Sequence, residues 1–475
     1  MNQPGIDIQG NDTICAPATP PGVSAIAVIR ISGEKAIEIA DGIFKSKNKR
    51  KSLRNAKSHT VHFGDITSEK GIIDEVLITV FKTPHSYTGE NSVEISCHGS
   101  PYIVKSIIEL LLNNGCRYAR PGEFTMRAFL NGKFDLSQAE AVADLIESQS
   151  KTSHDLALNQ MRGGFSSKIK ELREKLLNFT SLIELELDFS EEDVEFANRD
   201  DLKNLLDDLK SEISKLLESF KLGNVIKQGI PVAIIGKPNV GKSTLLNAIL
   251  NEEKAIVSEI PGTTRDTIED SISINGVSFR FIDTAGLRES GDKIEMIGIE
   301  RTHEKIRQSK IILYIFDVSS TSCDEIDETL GEFKEYIDNL PDDAEKDKQF
   351  ILIANKTDML VEAPKGFKSL VERDCIFVSA KRKENINLII DRLSEYIESE
   401  KVSDTAIVSN NRHYEALSKA FEAVENIEEG FEQNLTSDLI VTDIRDALYH
   451  LGDITGEITT DEVLGNIFSR FCIGK

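Results

Sequence analysis

The sequence predicts a multidomain protein that joins α+β and α/β architecture. Its 475 residues exceed the size of one ordinary domain, so two or three domains are expected. Residues 132–228 and 401–475 carry apolar residues at helical spacing, which is typical of long amphipathic helices. Residues 229–400 alternate short apolar runs with helical stretches, which is typical of a parallel sheet. We therefore expect a helical domain that is split in sequence by an inserted α/β domain and preceded by an α+β domain at residues 1–131.

The N-terminal region mixes strand and helix signals. Residues 25–29 and 74–81 are apolar runs of strand length, and residues 103–112 have the spacing of a helix. An Asn-Gly pair at residues 131–132 predicts a turn at the boundary with the helical region.

Five apolar runs predict the strands of the inserted domain. Because helical stretches lie between them, these strands should run parallel, with helices on both faces of the sheet. The runs span residues 231–235, 279–282, 311–316, 350–354 and 375–378.

The composition excludes several classes of protein. With 80 acidic and 56 basic residues the net charge is −24, which argues against a general nucleic-acid coat protein. A basic run from Lys45 to Arg54 leaves local RNA contact open beside the plainer interpretation of a solvated loop. The six cysteines form no C-x-x-C pair, and no apolar run is long enough to span a membrane. We therefore expect a cytoplasmic protein without a zinc site, disulfides or membrane contact.

The strongest motif directly follows the first strand of the inserted domain. Residues 236–243 read G-K-P-N-V-G-K-S and fit the phosphate-binding pattern G-x-x-x-x-G-K-S. The glycines allow backbone N–H groups to surround phosphates, and Lys242 supplies positive charge to the β and γ phosphates. Because Ser243 offers a hydroxyl to Mg²⁺, the motif predicts a nucleoside triphosphate site.

Three further motifs each follow a predicted strand, and together they indicate a guanine nucleotide. Residues 283–286 read D-T-A-G, in which Asp283 can hold the metal through water. Residues 355–358 read N-K-T-D, and Asp358 can accept hydrogen bonds from N1–H and the 2-amino group of guanine, which adenine lacks. Residues 379–381 read S-A-K and can offer a backbone N–H to guanine O6.

These motifs alone do not identify the group that orients the attacking water. Leu287 follows the D-T-A-G motif where small regulatory GTPases carry a glutamine, and an aliphatic side chain cannot orient water. In the predicted switch loop, Thr264 can complete the Mg²⁺ shell, and Arg265 is either a surface residue or an arginine finger. The nearby charged candidates are Arg288, Glu289, Asp292 and Glu295.

Further characteristic stretches lie at residues 12–14, 18–20, 30–33, 86–90, 97–99 and 120–146 and in the F-C-I-G-K sequence at 471–475. With these stretches, the whole chain resembles the MnmE/TrmE family of tRNA modification GTPases. The resemblance implies an N-terminal folate-binding and dimerisation domain at 1–131, a helical domain at 132–228 and 401–475, and an inserted G domain at 229–400.

The resemblance also implies an activity. We expect a K⁺-stimulated GTPase that works with a flavin-dependent protein of the MnmG/GidA type in a heterotetramer. Together they would add a carboxymethylaminomethyl group to C5 of the wobble uridine of certain tRNAs, with the one-carbon unit from 5-formyl- or 5,10-methylene-tetrahydrofolate. The protein would be a homodimer with Mg²⁺ and K⁺ as cofactors. The alternative is a regulatory GTPase that binds RNA or assembling ribosomes and is triggered by a partner, although the acidic C-terminal helices argue against it.

The positions of several residues within the family's motifs imply further roles. Asn239 is similar to the family's K⁺-ligating asparagine, with Ser258, Ile260 and Thr263 on the loop that closes over K⁺. Such a cation supplies the charge that an arginine finger would give. Glu295 matches the water-orienting glutamate, so the expected catalytic residues are Glu295, Lys242 and Thr264, with Mg²⁺ at Ser243 and Thr264. The expected GTP-binding residues are Asn239, Val240, Gly241, Lys242, Ser243, Thr244, Ser258, Glu259, Ile260, Pro261, Gly262, Thr263, Thr264, Asp283, Thr284, Ala285, Gly286, Asn355, Lys356, Thr357, Asp358, Ser379, Ala380 and Lys381.

For folate, the resemblance implies Arg30, Glu94, Lys133 and Lys475 as ligands. Basic side chains suit the acidic glutamyl tail of a folate, and a carboxylate suits the donor edge of its pterin. Cys472 is either a nucleophile in one-carbon or uridine chemistry or a small residue buried in the last helix.

Overall fold

The chain folds into two compact units. Unit 1 comprises Met1–Ile146, Ala157–Ser214 and Glu415–Lys475, and unit 2 comprises Glu147–Leu156 and Lys215–Tyr414. The finer domain boundaries given above stay a prediction. The computed structural model describes residues 12–47, 52–188, 199–254, 270–282, 296–340, 348–360, 362, 367–399, 407–433, 435, 437–469, 471 and 473–474.

Unit 1 contains a seven-stranded sheet in the order β3-β4-β5-β6-β2-β1-β7. Neighbouring strands are antiparallel except for β1 and β7, which are parallel. Val76, Ile78 and Val80 of β5 point into the core, while the residues between them are more exposed, so one face of the sheet is apolar. Strands β1 to β7 are Thr13–Pro17, Ser24–Ser32, Phe44–Ser46, Thr60–Ser68, Gly71–Phe81, Ser92–Gly99 and Cys116–Tyr118.

Helices Ala36–Ile43 and Pro101–Asn113 cover that apolar face, and their buried side chains share one core with the sheet. A second core joins Met126 and Leu136 to Leu464 and Phe468 near the end of the chain. The other helices that lie wholly or partly in unit 1 are the short 3₁₀ helix Leu53–Asn55 and the α-helices Glu123–Leu130, Leu136–Glu147, Lys151–Met161, Gly164–Asp188, Arg199–Gln228, Asn411–Glu432, Ser437–Thr455 and Asp461–Ser469.

Unit 2 contains a six-stranded sheet in the order β13-β12-β11-β8-β10-β9. Alternate residues of β8 enter different cores: Ile234 lies in one, and Ala233 and Ile235 lie in the other. The predicted parallel pairing is therefore confirmed for five of the six strands, β8 and β10 to β13, and both faces of the sheet are covered. Strands β8 to β13 are Ile230–Ile235, Asp270–Ile274, Val277–Phe281, Ile311–Asp317, Gln349–Asn355 and Ile376–Phe377, and the other helices in the described part of unit 2 are Lys242–Lys254, Met296–Gln308, Cys323–Asp338, Thr357–Met359 (3₁₀), Phe367–Glu372 and Ile386–Ser399.

One edge of this sheet is an antiparallel hairpin, which the sequence analysis did not predict. β9 and β10 pair with Val277 opposite Ile274. Asn275 and Gly276 form the turn with φ values of +49° and +83°. Two consecutive left-handed residues match the twist of antiparallel strands, which explains the Asn-Gly sequence at this position.

Unit 2 also includes the end of helix Arg199–Gln228, because that end packs against residues 407–414. The N–H of Val408 donates to Ser219 Oγ over 3.0 Å. The rings of Phe220 and Tyr414 stack with their centroids 4.4 Å apart. Gly223 lies so close to Val408 that a Cβ on the glycine would overlap the Val408 carbonyl. This helix end is therefore a close-packed part of unit 2.

Two helical glycines of unit 2 should respond in opposite ways to alanine. Alanine raises helix stability by about 1 kcal/mol over glycine, but the overlap at Gly223 costs about 1–3 kcal/mol. Gly223→Ala should therefore lower the midpoint of urea unfolding of unit 2. Gly331 of helix Cys323–Asp338 has open space around its Cα, so Gly331→Ala should raise that midpoint. If Gly223→Ala is stabilised as well, the close contact between Gly223 and the Val408 carbonyl is wrong.

Candidate functional site

The loop at residues 236–243 joins β8 to helix Lys242–Lys254. Gly236 and Gly241 have φ values of +153° and +102°, and a Cβ on Gly236 would overlap the Ile315 carbonyl. Only glycine fits this conformation and this approach. Asn239 is exposed and also left-handed, with φ of +60°. Because the loop ends at a helix N-terminus, it can bind an anion such as a phosphate.

Lys242 is held at the centre of this loop. Its Nζ donates to the carbonyl oxygens of Gly236 and Lys237, each over 2.8 Å. Burial, and to a smaller degree Lys305, lowers the pKa of Lys242. A half-buried cation whose hydrogen-bond partners among the described residues are neutral carbonyl groups favours an anionic ligand, because burial disfavours an uncompensated charge.

Asn355, at the end of β12, forms hydrogen bonds with two other loops. Its Nδ2 donates to the Val240 carbonyl over 2.8 Å, and its Oδ1 accepts from the Ala380 N–H over 3.0 Å. The residue is only 3% exposed. Gly241 provides the room, because a Cβ there would overlap Asn355 Nδ2. Asn355 therefore fixes the phosphate loop against the loop at residues 379–381.

Asp358 presents a half-buried carboxylate beside these loops. Ser379 Oγ donates to Asp358 Oδ1 over 2.8 Å. This hydrogen bond lowers the pKa of the Asp358 carboxyl, so the group stays ionised at neutral pH. Its second oxygen can accept from a ligand, which is what recognition of the N1–H edge of guanine requires.

Asp317 is a residue of this site that the sequence analysis missed. Its Oδ2 pairs with Lys356 Nζ over 2.8 Å, and its Oδ1 accepts from both the N–H and the hydroxyl of Ser319. Burial opposes ionisation, but Lys356 and Ser319 outweigh it, so the pKa of Asp317 lies below its usual value. The pair holds Lys356 beside Asp358. Asp317 ends β11 opposite Asn355 of β12, and this pairing becomes visible only in the structure.

The other predicted GTP-binding residues vary in burial or lie outside the described part of the chain. Val240, Ser379 and Ala380 are buried, Ser243 is half-buried, and Thr244 and Lys381 are exposed. Thr357 donates its N–H to Val378. The predicted residues outside the described part of the chain are Ser258, Glu259, Ile260, Pro261, Gly262, Thr263, Thr264, Asp283, Thr284, Ala285, Gly286, Glu295, Cys472 and Lys475.

A second candidate site lies in unit 1, where Arg30 of β2 faces Glu94 of β6. Arg30 Nε and Nη2 donate to Glu94 Oε1 over 3.0 and 2.9 Å. The guanidinium carbon lies 5.1 Å from the ring centre of Tyr87 and 5.7 Å from that of Phe124. Charged and aromatic groups thus meet in a half-buried setting that suits a planar ligand with polar edges.

Residues near the end of the chain approach this second site. Arg30 Nη1 lies 3.4 Å from the Gly474 carbonyl. Gly474 has φ of +97°, and a Cβ there would overlap the Pro17 carbonyl, so only glycine permits the approach. Lys133 Nζ donates to the Pro84 carbonyl over 3.0 Å, in the loop that leads to Tyr87.

Comparison with known proteins decides the family. The model described as "MnmE helical domain" matches residues 136–472, and "GTP-binding protein TrmE N-terminus" matches residues 13–133. The protein named tRNA modification GTPase MnmE from Christiangramia forsetii is 54% identical to this chain, over 98% of this chain and 99% of its own. The chain belongs to the MnmE family of tRNA modification GTPases. A member of the MnmE family is a GTP hydrolase that acts in tRNA modification.

Other relatives named tRNA modification GTPase MnmE support the same family assignment. The protein of Cytophaga hutchinsonii is 53% identical over 98% of both chains. That of Bacteroides fragilis is 51% identical over 98% of this chain and 99% of its own. Among solved structures, the G domain of the T. maritima FeoB iron transporter covers 35% of this chain and 98% of its own at 20% identity, with a TM-score of 0.25, which is too low to support a conclusion. Within the described residues, no helix is long and apolar enough to cross a membrane.

Replacing Asp317 should weaken guanine-nucleotide binding in this MnmE-family protein. Asp317→Asn keeps an oxygen for Ser319 but removes the charge that holds Lys356. Because the pair is partly exposed, we expect the Kd for GDP to rise about three- to tenfold. Equilibrium titration with a fluorescent GDP measures this change.

The matched control is the exposed pair of Lys237 and Glu325, whose Nζ and Oε1 lie 3.0 Å apart. Glu325→Gln should change the Kd by less than about twofold, because exposed ion pairs contribute little. Equal effects of the two variants would show that Asp317 has no special role in nucleotide binding.

Proposed function

We propose that this MnmE-family chain binds GTP at residues 236–243, 355–358 and 379–381, and that GTP hydrolysis drives modification of the wobble uridine of certain tRNAs. The observation that carries the proposal is the pair of hydrogen bonds from Asn355 to Val240 and Ala380. They hold the loop at residues 236–243 and the loop at residues 379–381 together at one end of one sheet, where ligands of α/β folds bind. We assign residues 229–400 to the G domain on this basis.

Charge and positioning account for the proposed hydrolysis. Lys242 draws the phosphates to the loop, and Asp358 selects guanine. Ser243, at the start of the helix, offers a half-buried hydroxyl oxygen that suits Mg²⁺, with Thr264 as the second protein ligand. The ion would neutralise charge on the phosphates. Glu295 would orient the water.

K⁺ is the proposed substitute for an arginine finger. The side chain of Asn239 is exposed on the phosphate loop, so its amide oxygen is free to face a ligand beside the phosphates. Oxygen is the ligand atom that hard cations prefer. Ser258, Ile260 and Thr263 complete the proposed set. When bound, K⁺ would add positive charge at the position where the transition state gathers negative charge.

Arg30, Glu94, Lys133 and Lys475 are the proposed folate ligands. The pairing of Arg30 with Glu94 beside Tyr87 and Phe124 supports this, because a folate brings an aromatic pterin and an acidic tail. We propose that 5-formyl- or 5,10-methylene-tetrahydrofolate supplies the one-carbon unit. A homodimer that works with a flavin-dependent MnmG/GidA-type partner would complete the tRNA-modifying complex.

The cation mechanism predicts a strong preference for K⁺. GTP hydrolysis should be at least about tenfold faster in KCl than in NaCl at equal ionic strength, because a fixed cation stabilises the transition-state charge. Asn239→Ala should remove the preference, and Glu295→Ala should lower the rate about 100-fold or more. Phosphate release measures all three rates.

Glu295→Ala should bind GDP as tightly as the unaltered protein, which separates binding from catalysis. A slow rate that is the same in KCl and NaCl would contradict the cation mechanism. That result would favour the alternative function, a GTPase that binds RNA or ribosomes and is triggered by a partner.

The proposed folate site can be tested by calorimetry. Arg30→Gln should weaken binding of 5-formyl-tetrahydrofolate by at least about tenfold, because it removes a charge-assisted hydrogen bond. Arg54→Gln is the matched control, since Arg54 forms an exposed pair with Glu38. If Arg30→Gln binds the folate normally, Arg30 is not a ligand.

A further inference from the structure

The hairpin β9–β10 lies between the two segments that carry the switch motifs of the proposed G domain. Residues 255–269 precede it and residues 283–295 follow it closely. β10 also pairs in parallel with β8, the strand that leads into the phosphate loop, with Phe279 opposite Ile230. The hairpin is therefore joined by the backbone to both switch segments and by hydrogen bonds to the phosphate-binding strand.

Residues 149–152, which lie far from the G domain in sequence, dock on this hairpin. The N–H of Thr152 donates to the Gly276 carbonyl at the hairpin turn over 3.0 Å. Ser271 Oγ donates to Gln149 Oε1 over 3.3 Å. Lys151 packs beside the turn, because a Cβ built on Gly276 would lie 3.2 Å from Lys151 Cβ. The turn and the segment are thus in direct van der Waals and hydrogen-bond contact.

The docked segment is the firmly capped start of helix Lys151–Met161. Ser150 Oγ accepts from the Ser153 N–H over 3.2 Å, and Ser153 Oγ accepts from the Ser150 N–H over 3.1 Å. Both serines are buried. These reciprocal caps satisfy two N–H groups of the helix start, and the Gly276 carbonyl satisfies that of Thr152. The hairpin therefore completes the helix cap.

The same helix continues beyond unit 2. Its first residues belong to unit 2, and its residues from Ala157 onward belong to unit 1. Because a helix is a rigid secondary element, a shift of its capped start can reach its other end.

We propose that residues 149–152 sense the nucleotide state of the G domain through the β9–β10 hairpin, an inference that rests on the proposed GTPase function. The Thr152–Gly276 contact differs in strength between the GTP and GDP forms, and helix Lys151–Met161 carries the difference onward. Coupling between two sites is reciprocal. Weakening the contact must therefore change the affinity for GTP relative to GDP.

Thr152→Pro tests this in the full-length protein. Proline removes the N–H that reaches Gly276, and the first turn of a helix accommodates proline. The readout is the ratio of the Kd values for GDP and for a non-hydrolysable GTP analogue, each with Mg²⁺. We expect the ratio to change by about threefold or more, as loss of one hydrogen bond implies. Thr152→Ala keeps the N–H and should leave the ratio unchanged.

A purely structural contact would behave differently. Thr152→Pro would then change both Kd values equally or neither, and that result overturns the inference while the GTPase function stands. If the unaltered protein binds neither nucleotide, the proposed function fails and the inference fails with it. Should Thr152→Pro not fold, the double variant Gln149→Ala, Ser271→Ala removes the side-chain contact. A ratio unchanged in that folded variant overturns the inference.

Discussion

The nucleotide site depends on one buried amide, the side chain of Asn355. Its donor and its acceptor are both used, and each reaches a different loop, Val240 on one side and Ala380 on the other. The loops follow separate strands, so nothing local fixes their spacing. A buried amide with both ends satisfied is rigid and costly to disturb. This constraint also explains Gly241, since any larger residue would displace the amide.

Both candidate sites contain an ion pair that is already satisfied without a ligand. Arg30 pairs with Glu94 in unit 1, and Lys356 pairs with Asp317 in unit 2. Such pairs hold long side chains in one orientation, which reduces the entropy lost when a ligand binds. The two ion pairs affect ligand binding in different ways. Arg30 and Glu94 are both proposed ligands, so a folate must compete with their pairing, whereas Asp317 only positions Lys356.

The sequence predicted those parts of the site that depend on local motifs. The phosphate loop could be recognised because its glycines, lysine and serine occupy fixed positions after a strand. Asp317 could not be recognised in this way. Its role comes from the register of β11 with β12, which brings it beside residues that lie 38 or more positions away in the sequence. The hairpin β9–β10 was missed although its Asn-Gly turn is a strong signal, since its apolar runs are short. The pairing of Arg30 with Glu94 likewise follows from strand register, which periodicity alone does not set.

The hydrogen bond from Arg30 to Gly474 joins residues 444 positions apart, and the main stretch of unit 2, Lys215–Tyr414, lies between them. Synthesis on the ribosome runs from the N-terminus, so this stretch emerges before residues 415–475 that complete unit 1. Domains tend to fold as units while the chain is made. The nucleotide-binding unit can thus fold first, and the surroundings of Arg30 must wait. During translation, Arg30 and the N-terminal sheet therefore remain without the Gly474 contact until the last residues of the chain have been made.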